Sequence, residues 1–168
     1  EFIFDGKTVV GARTEQGEYS ADRYVMNVDF ATGMKGLVPD ELRRKWSDKK
    51  LDQKSYSCST YMLYLGIDKL YDTPHHQIYA AKDYQKNLRE VTQNKVTWDD
   101  PSVYVQNACV TDSTMAPEGH STIYVLVPVS NSHDGIDWEE IKHDYMDVIL
   151  RQMENLGFTD LKRHIVSQ

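Results

Sequence analysis

The chain has 168 residues, 40% of them apolar and 27% charged, with a formal net charge of −7. That length suits one domain that buries about two-thirds of its unfolded surface without a covalent staple, and the composition excludes a disordered chain. The acidity argues against a nucleic-acid partner, whose phosphates require a basic face.

In chain order, residues 7–12 and 18–28 read as a β-hairpin with Gln16-Gly17 at the turn. Its second arm is expected to end in the apolar run Tyr24–Asp29. Pro39, the acids after it, and Leu42 and Trp46 four residues apart predict a helix over 39–47. Ser47 to Ser55 reads as a polar loop. Ser55 to Gly66 reads as a long strand, with Tyr56, Cys58, Thr60, Met62 and Tyr64 on one face and Ser57, Ser59, Tyr61, Leu63 and Leu65 on the other. After an Asp72-Thr73-Pro74 turn, Gln77–Ala81 is expected to be a short strand. Asp83–Gln93 is expected to be a helix burying Tyr84, Leu88 and Val91.

The stretch Val105–Thr122 reads as a strand and a specific polar linker, followed by a second strand opening at Ser121. That second strand continues as Ile123–Val129, the longest apolar run, and a strand with no polar face is buried on both sides or faces an apolar ligand. At this length it is far short of the roughly twenty apolar residues of a membrane-spanning helix. The first residues have no basic region followed by an apolar block, so no secretory leader is expected there. Asp134–Gly157 is the strongest helix, capped by Asp137, with Trp138, Ile141, Tyr145, Val148, Ile149 and Met153 as its apolar stripe. Asp160–Val166 reads as a last strand. Strands and helices at unequal intervals predict an α+β fold, a mixed and largely antiparallel sheet with helices packed on one face. The other face is then free to cover a ligand or a further domain.

Few side chains announce chemistry. His75-His76 invites a metal, but neighbours on a strand point to opposite faces and no third ligand stands at suitable spacing, so no metal is expected. His120, His133, His143 and His164 are scattered. Cys58 and Cys109 form neither a zinc pattern nor a disulfide framework and read as buried free thiols. There is no Gly-x-Ser-x-Gly elbow and no Gly-x-Gly, so neither a hydrolase nucleophile nor a complete dinucleotide loop can be built. Asp112 and Glu118 are an acid/base pair on paper and turn-capping or solvated groups by the blander reading. Eleven tyrosines, several of them on strands, either pack the core or wall an apolar ligand.

Several motifs follow one another in a familiar order. They are Met62-Leu63-Tyr64-Leu65-Gly66, Pro74-His75-His76, Ala81-Lys82-Asp83-Tyr84, Val110-Thr111-Asp112, Ala116-Pro117-Glu118-Gly119 and Tyr124–Val129. Together they resemble the bacterial and fungal type of phytoene desaturase, an FAD-dependent carotenoid desaturase among the amine-oxidase-like flavoproteins. Ile136-Asp137-Trp138 ahead of a helix, and Gly17 to Asp29, fit the same family, and the resemblance covers nearly the whole chain.

The resemblance implies an oxidoreductase acting on CH–CH groups, with FAD in a Rossmann-type domain and a second domain that covers the flavin and shapes a tunnel for a C40 polyene. It assigns residues 1–30 to the flavin-binding domain and 31–168 to the substrate domain. Asn27, Val28 and Asp29 match the strand exit that approaches the flavin. Met62, Tyr64, His76, Gln106, Ala108, Tyr124 and Leu126 match substrate-domain segments and are the candidate substrate contacts.

No catalytic residue is assignable. The glycine-rich flavin segments are missing, so the chain is expected to be a central fragment, inactive alone. The parent enzyme is expected to be cytoplasmic and to touch the membrane peripherally, although the net acidity of this chain offers no membrane patch of its own. The alternatives are a non-catalytic apolar-ligand or protein-interaction module of the same fold, or a flavin enzyme for another isoprenoid. That last group includes a diapophytoene desaturase, a carotenoid isomerase and a retinoid saturase.

Overall fold

The computed structural model describes residues 1–131 and 135–168, and the chain divides into two units, Glu1–Ser55 and Tyr56–Gln168. The expected positions His133 and Asp134 lie outside the described residues.

In the first unit, strands β1 (Phe2–Asp5), β2 (Thr8–Thr14) and β3 (Gly17–Tyr19) form an antiparallel sheet in that order. Gly17, at φ +131°, makes the hairpin turn in a conformation closed to most other residues. The turn is as expected, but the second arm stops at Tyr19 and residues 24–29 form no strand. Instead the Asp29 carboxylate accepts from Thr32 N at 2.9 Å and caps helix α1 (Phe30–Leu37). A side chain at Gly33 would meet Val28 Cγ1 at 2.6 Å, so glycine lets the preceding run lie against the helix.

The helix expected over 39–47 is reduced to a 3₁₀ turn at Asp40–Leu42, and helix α2 (Asp48–Asp52) falls where a loop was expected. The cause is Arg43. Its buried guanidinium reaches Asp48 Oδ1 at 2.8 Å and Asp40 Oδ1 at 3.4 Å, while Asp48 N donates to Asp40 Oδ1 at 2.9 Å. These bonds close the segment into a loop, and the one from Arg43 holds the Asp48 carboxyl below its ordinary range.

The second unit carries the main core. Strands β4 (Ser59–Ile67), β5 (His76–Tyr79), helix α3 (Tyr84–Thr92), β6 (Val103–Asn107) and β7 (Ser121–Val129) are followed by helices α4 (Trp138–Glu154) and α5 (Leu161–His164) and strand β8 (Ile165–Ser167). The five strands pair in the order β5-β6-β7-β4-β8, each pair antiparallel. The fold is α+β as expected, with a wholly antiparallel sheet among the described residues.

Alternation sets the layers. Leu63, Leu65 and Ile67 on β4, Val103 and Val105 on β6, and Ile123, Val125, Val127 and Val129 on β7 are buried with Tyr145, Ile149, Leu150 and Met153 of α4. Asp137 caps α4 by accepting from Glu139 N at 3.0 Å and Glu140 N at 3.2 Å. Gly157, at φ +92°, turns the chain beyond its end.

Three expectations change here. Tyr84 and Leu88 are exposed on α3, which turns Asn87 and Val91 inward; Asn87 bonds Thr97 and Ser102. The last expected strand is mostly the short helix α5, with β8 after it. The cysteines are free but not buried: Cys58 is exposed and Cys109 half-buried, and neither lies in a strand.

Candidate functional site: an aromatic sheet face

The same alternation that buries one face of the sheet presents the other. On β4 and β7 the register pairs Met62 with Leu126 and Tyr64 with Tyr124. On β6 and β7 it pairs Tyr104 with Leu126 and Gln106 with Tyr124. On β5 and β6 it pairs His76 with Gln106 and Ile78 with Tyr104. Two rungs therefore cross four strands, His76–Gln106–Tyr124–Tyr64 and Ile78–Tyr104–Leu126–Met62. Each spans three inter-strand steps, about 14 Å.

None of these positions belongs to the buried core. Tyr64 is 66% exposed and Ile78 73% exposed. His76 is also exposed, and Met62, Tyr104, Gln106, Tyr124 and Leu126 are half-buried. Strand β7, apolar along its length, is thus buried on one face only.

Ring contacts make the face continuous. Tyr64 meets Tyr124 edge to face at 5.4 Å, Tyr124 meets Tyr104 in the same manner at 6.0 Å, and Tyr104 stacks with His76 at 6.0 Å. His75 stacks on His76 at 4.2 Å, so the two imidazoles gather side by side instead of diverging as strand neighbours should. The reason is that His75 precedes β5.

Hydrogen bonds fix the polar end of the stripe. His76 Nδ1 lies 2.8 Å from the Tyr104 hydroxyl, His75 Nδ1 2.6 Å from Thr111 Oγ1, and His75 Nε2 3.0 Å from Gln106 Nε2. Both ring nitrogens of His75 are engaged, so the pair does not converge on a metal. Among the described residues no group of three or more His, Cys, Asp or Glu side chains is placed to hold a metal ion.

The buried Asn107 anchors this end from below. Its Nδ2 donates to Tyr71 O and Thr73 Oγ1, each at 3.1 Å, and its N–H to His75 O at 2.8 Å. The linker after β6 contains 3₁₀ turns at Ala108–Val110 and Ser113–Met115. Asp112 accepts from Thr114 N at 2.9 Å and Thr114 Oγ1 at 2.6 Å, bonds that lower its pKa. Its carboxylate therefore caps a turn.

The perturbed tyrosines are elsewhere. Burial raises Tyr61, Tyr71 and Tyr145, and the bond to Asp100 raises Tyr79. Tyr61, Tyr71, Tyr79 and Tyr145 all belong to the core layer or pack against it.

Of the residues expected to meet a substrate, Met62, Tyr64, His76, Gln106, Tyr124 and Leu126 share this face. Ala108 follows β6 in a 3₁₀ turn, half-buried. Tyr104 and Ile78 share the face as well, and His75 stacks at its edge, although none of the three is among the expected contacts. Stepping by two from Gln106 and from His76 gives Tyr104 and Ile78, whereas nothing in the sequence signals the turn-borne His75.

Asn27, Val28 and Asp29 lie in the first unit, exposed, before α1. The Asp29 carboxylate caps its own helix, accepting from Thr32 N.

The fold and the face define a class: an antiparallel sheet backed by a helix, with its other face lined by tyrosines, methionine and leucine. No family model matches the chain. The chain is 42% identical over 165 residues to the 4,4'-diapophytoene desaturase (4,4'-diapolycopene-forming) of Methylomonas sp, covering 97% of this chain and 32% of that protein. It is 37% identical to the all-trans-zeta-carotene desaturase of Myxococcus xanthus, over 96% of this chain and 31% of that protein. It is 34% identical to a Staphylococcus aureus 4,4'-diapophytoene desaturase (4,4'-diaponeurosporene-forming), over 88% of this chain and 31% of that protein. By sequence the chain is homologous to part of proteins named as carotenoid desaturases, and it spans about a third of the length of the curated relatives it matches.

Proposed function

We propose that the chain is part of an FAD-dependent carotenoid desaturase, an oxidoreductase acting on CH–CH groups. In this reading the open face of the five-stranded sheet is one wall of the apolar site for a long isoprenoid hydrocarbon of the phytoene or diapophytoene class. One observation carries it: a continuous stripe from Tyr64 through Tyr124 and Tyr104 to His76 on the face turned away from the core. A polyene offers no hydrogen-bonding groups, so its recognition rests on shape and apolar contact, which aromatic and thioether side chains supply.

Bound FAD supplies hydride acceptance. The residues of this chain exclude water and align the hydrocarbon. With no phosphate loop here, the cofactor is held by segments other than these. Residues 1–30 serve the flavin-binding domain and residues 31–168 the substrate domain, and the enzyme works in the cytoplasm against a membrane that holds its substrate.

The test is a fluorescence-quenching titration of the 168-residue chain with diapophytoene in mild detergent. Saturable quenching is expected, weakened by Tyr64→Ser with Tyr124→Ser. Quenching of the same strength in that double variant rejects the wall. In parallel, FAD is expected to bind weakly; a submicromolar flavin affinity would contradict the assignment of the cofactor site to other segments.

A further inference from the structure

The net charge of −7 conceals a local reversal. Between Lys35 and Lys54 seven Lys/Arg stand against four Asp/Glu, a local +3 that leaves −10 on the rest of the chain. Three of those acids have internal partners: Asp52 pairs with Lys35, and Asp40 and Asp48 are drawn onto the buried Arg43. Arg44, Lys45, Lys49, Lys50 and Lys54 remain exposed. The net acidity of the whole chain therefore does not describe this segment.

Apolar groups stand among these cations. The Trp46 ring carries Lys45 Nζ at 5.1 Å and Lys54 Nζ at 5.7 Å, and Phe30 meets it edge to face at 5.1 Å. Phe30 is 47% exposed, and Val28 and Val25, on the run leading into α1, are 48% and 90% exposed. A tryptophan half-buried under lysines, beside exposed apolar side chains, is the composition of a surface that sits at the headgroup level of a bilayer.

We propose that Arg44, Lys45, Lys49, Lys50 and Lys54, with Trp46 and Phe30, form a docking surface for an anionic lipid bilayer. Clusters of four or more Lys/Arg bind acidic leaflets through several small increments. A polyphosphate partner such as nucleic acid fits less well, because it would gain nothing from Phe30 and the exposed valines and would be repelled by the remaining acidity. The biological sense of the surface rests on the proposed bilayer-dissolved substrate, but its charge and exposure do not.

The experiment is flotation of the 168-residue chain with vesicles of phosphatidylcholine alone or with one-third phosphatidylglycerol, neither containing carotenoid. The chain is expected to float with the anionic vesicles and not the neutral ones, and to be released at about 0.5 M salt. Lys49→Glu with Lys50→Glu, both exposed, should weaken binding at least tenfold, at roughly fivefold for each charge lost. Urea unfolding checks that this variant stays folded, and a tryptophan blue shift is expected when the parent chain meets anionic vesicles and is expected to shrink in Trp46→Phe. Equal binding to both vesicle types, no binding to either, an unaffected lysine variant, or tighter binding to heparin than to vesicles each overturns the proposal. Because the vesicles lack carotenoid, failure here leaves the sheet-face reading standing, and failure of hydrocarbon quenching leaves this surface standing.

Discussion

Tyr64 and Leu65 are neighbours in sequence and lie on opposite faces of β4, which makes them a sharp test of the layer assignment. Leu65 is fully buried in the core beneath α4. Replacing it with alanine removes buried methyl groups and leaves a cavity, at a cost of about 3 kcal/mol. Tyr64 is 66% exposed, and its principal packing partner is the ring of Tyr124, edge on at 5.4 Å. Tyr64→Ala forfeits about 1 kcal/mol. With a urea slope of about 1.5 kcal/mol/M, the unfolding midpoint should fall by about 2 M for Leu65→Ala and by well under 1 M for Tyr64→Ala.

Ligand capture should follow the reverse order. If a polyene covers roughly 100 Å² of the exposed Tyr64 ring at about 25 cal/mol/Å², an upper value of about 2.5 kcal/mol is at stake. About half of that amounts to a tenfold weaker capture. Leu65→Ala, measured well below its melting temperature, should leave capture nearly unchanged. A Tyr64→Ala variant destabilised by more than Leu65→Ala would refute the register, since a one-residue slip exchanges the two faces. A stability result as expected with capture unaltered would refute the wall and spare the fold.

Asn107→Asp exchanges two buried donors for a carboxylate facing Tyr71 O and is expected to cost about 3 kcal/mol at neutral pH, read by thermal unfolding; a change below 1 kcal/mol would detach Asn107 from the loop that carries His75. Asp137→Ala should cost about 1 kcal/mol, the worth of an N-cap, with the loss visible in the helical circular dichroism as well as in the urea midpoint. Burial pushes the Asp100 carboxyl upward, but bonds from Tyr79, Lys82 N and Gln152 outweigh it and hold its pKa low. The folded form therefore gains stability from ionised Asp100 above about pH 4, and that gain disappears as the pH falls through the depressed value. Asp100→Asn should be less stable at neutral pH and lose less on acidification, so an unchanged stability–pH profile would remove Asp100 from the acid response.

What could be read from the sequence follows from where simple periodicity governs. Strands β4, β6 and β7 alternate because one face meets α4, and the stripe of α4 repeats at helical spacing for the complementary reason, so both core layers were legible. Periodicity fails where a single polar group decides the path. Arg43 binds Asp40 and Asp48 and turns an expected helix into a loop. Asn87 takes an inner position on α3 because Thr97 and Ser102 supply its hydrogen bonds, so the apolar reading of Tyr84 and Leu88 pointed to the wrong side. The run Tyr24–Asp29 has the composition of a strand, yet Asp29 caps a helix, and the two glycines of α1 hide that helix from propensity.

The candidate site was legible for the same reason as the core, since a strand that buries its odd positions must present its even ones. Alternation decides which residues share the open face but not what they are for. An ordinary solvated face would carry charges at Tyr64, Tyr124, Leu126 and Ile78, and the exposure of Tyr64 and Ile78 would be a standing cost in apolar hydration. Retaining aromatic and aliphatic groups on four adjacent strands makes physical sense when something apolar covers them for part of the working cycle. The His75–His76 end, fixed by Thr111, Gln106 and Tyr104, is the polar limit of the stripe, and the rings of Tyr64, Tyr124 and Tyr104 form the rest of it.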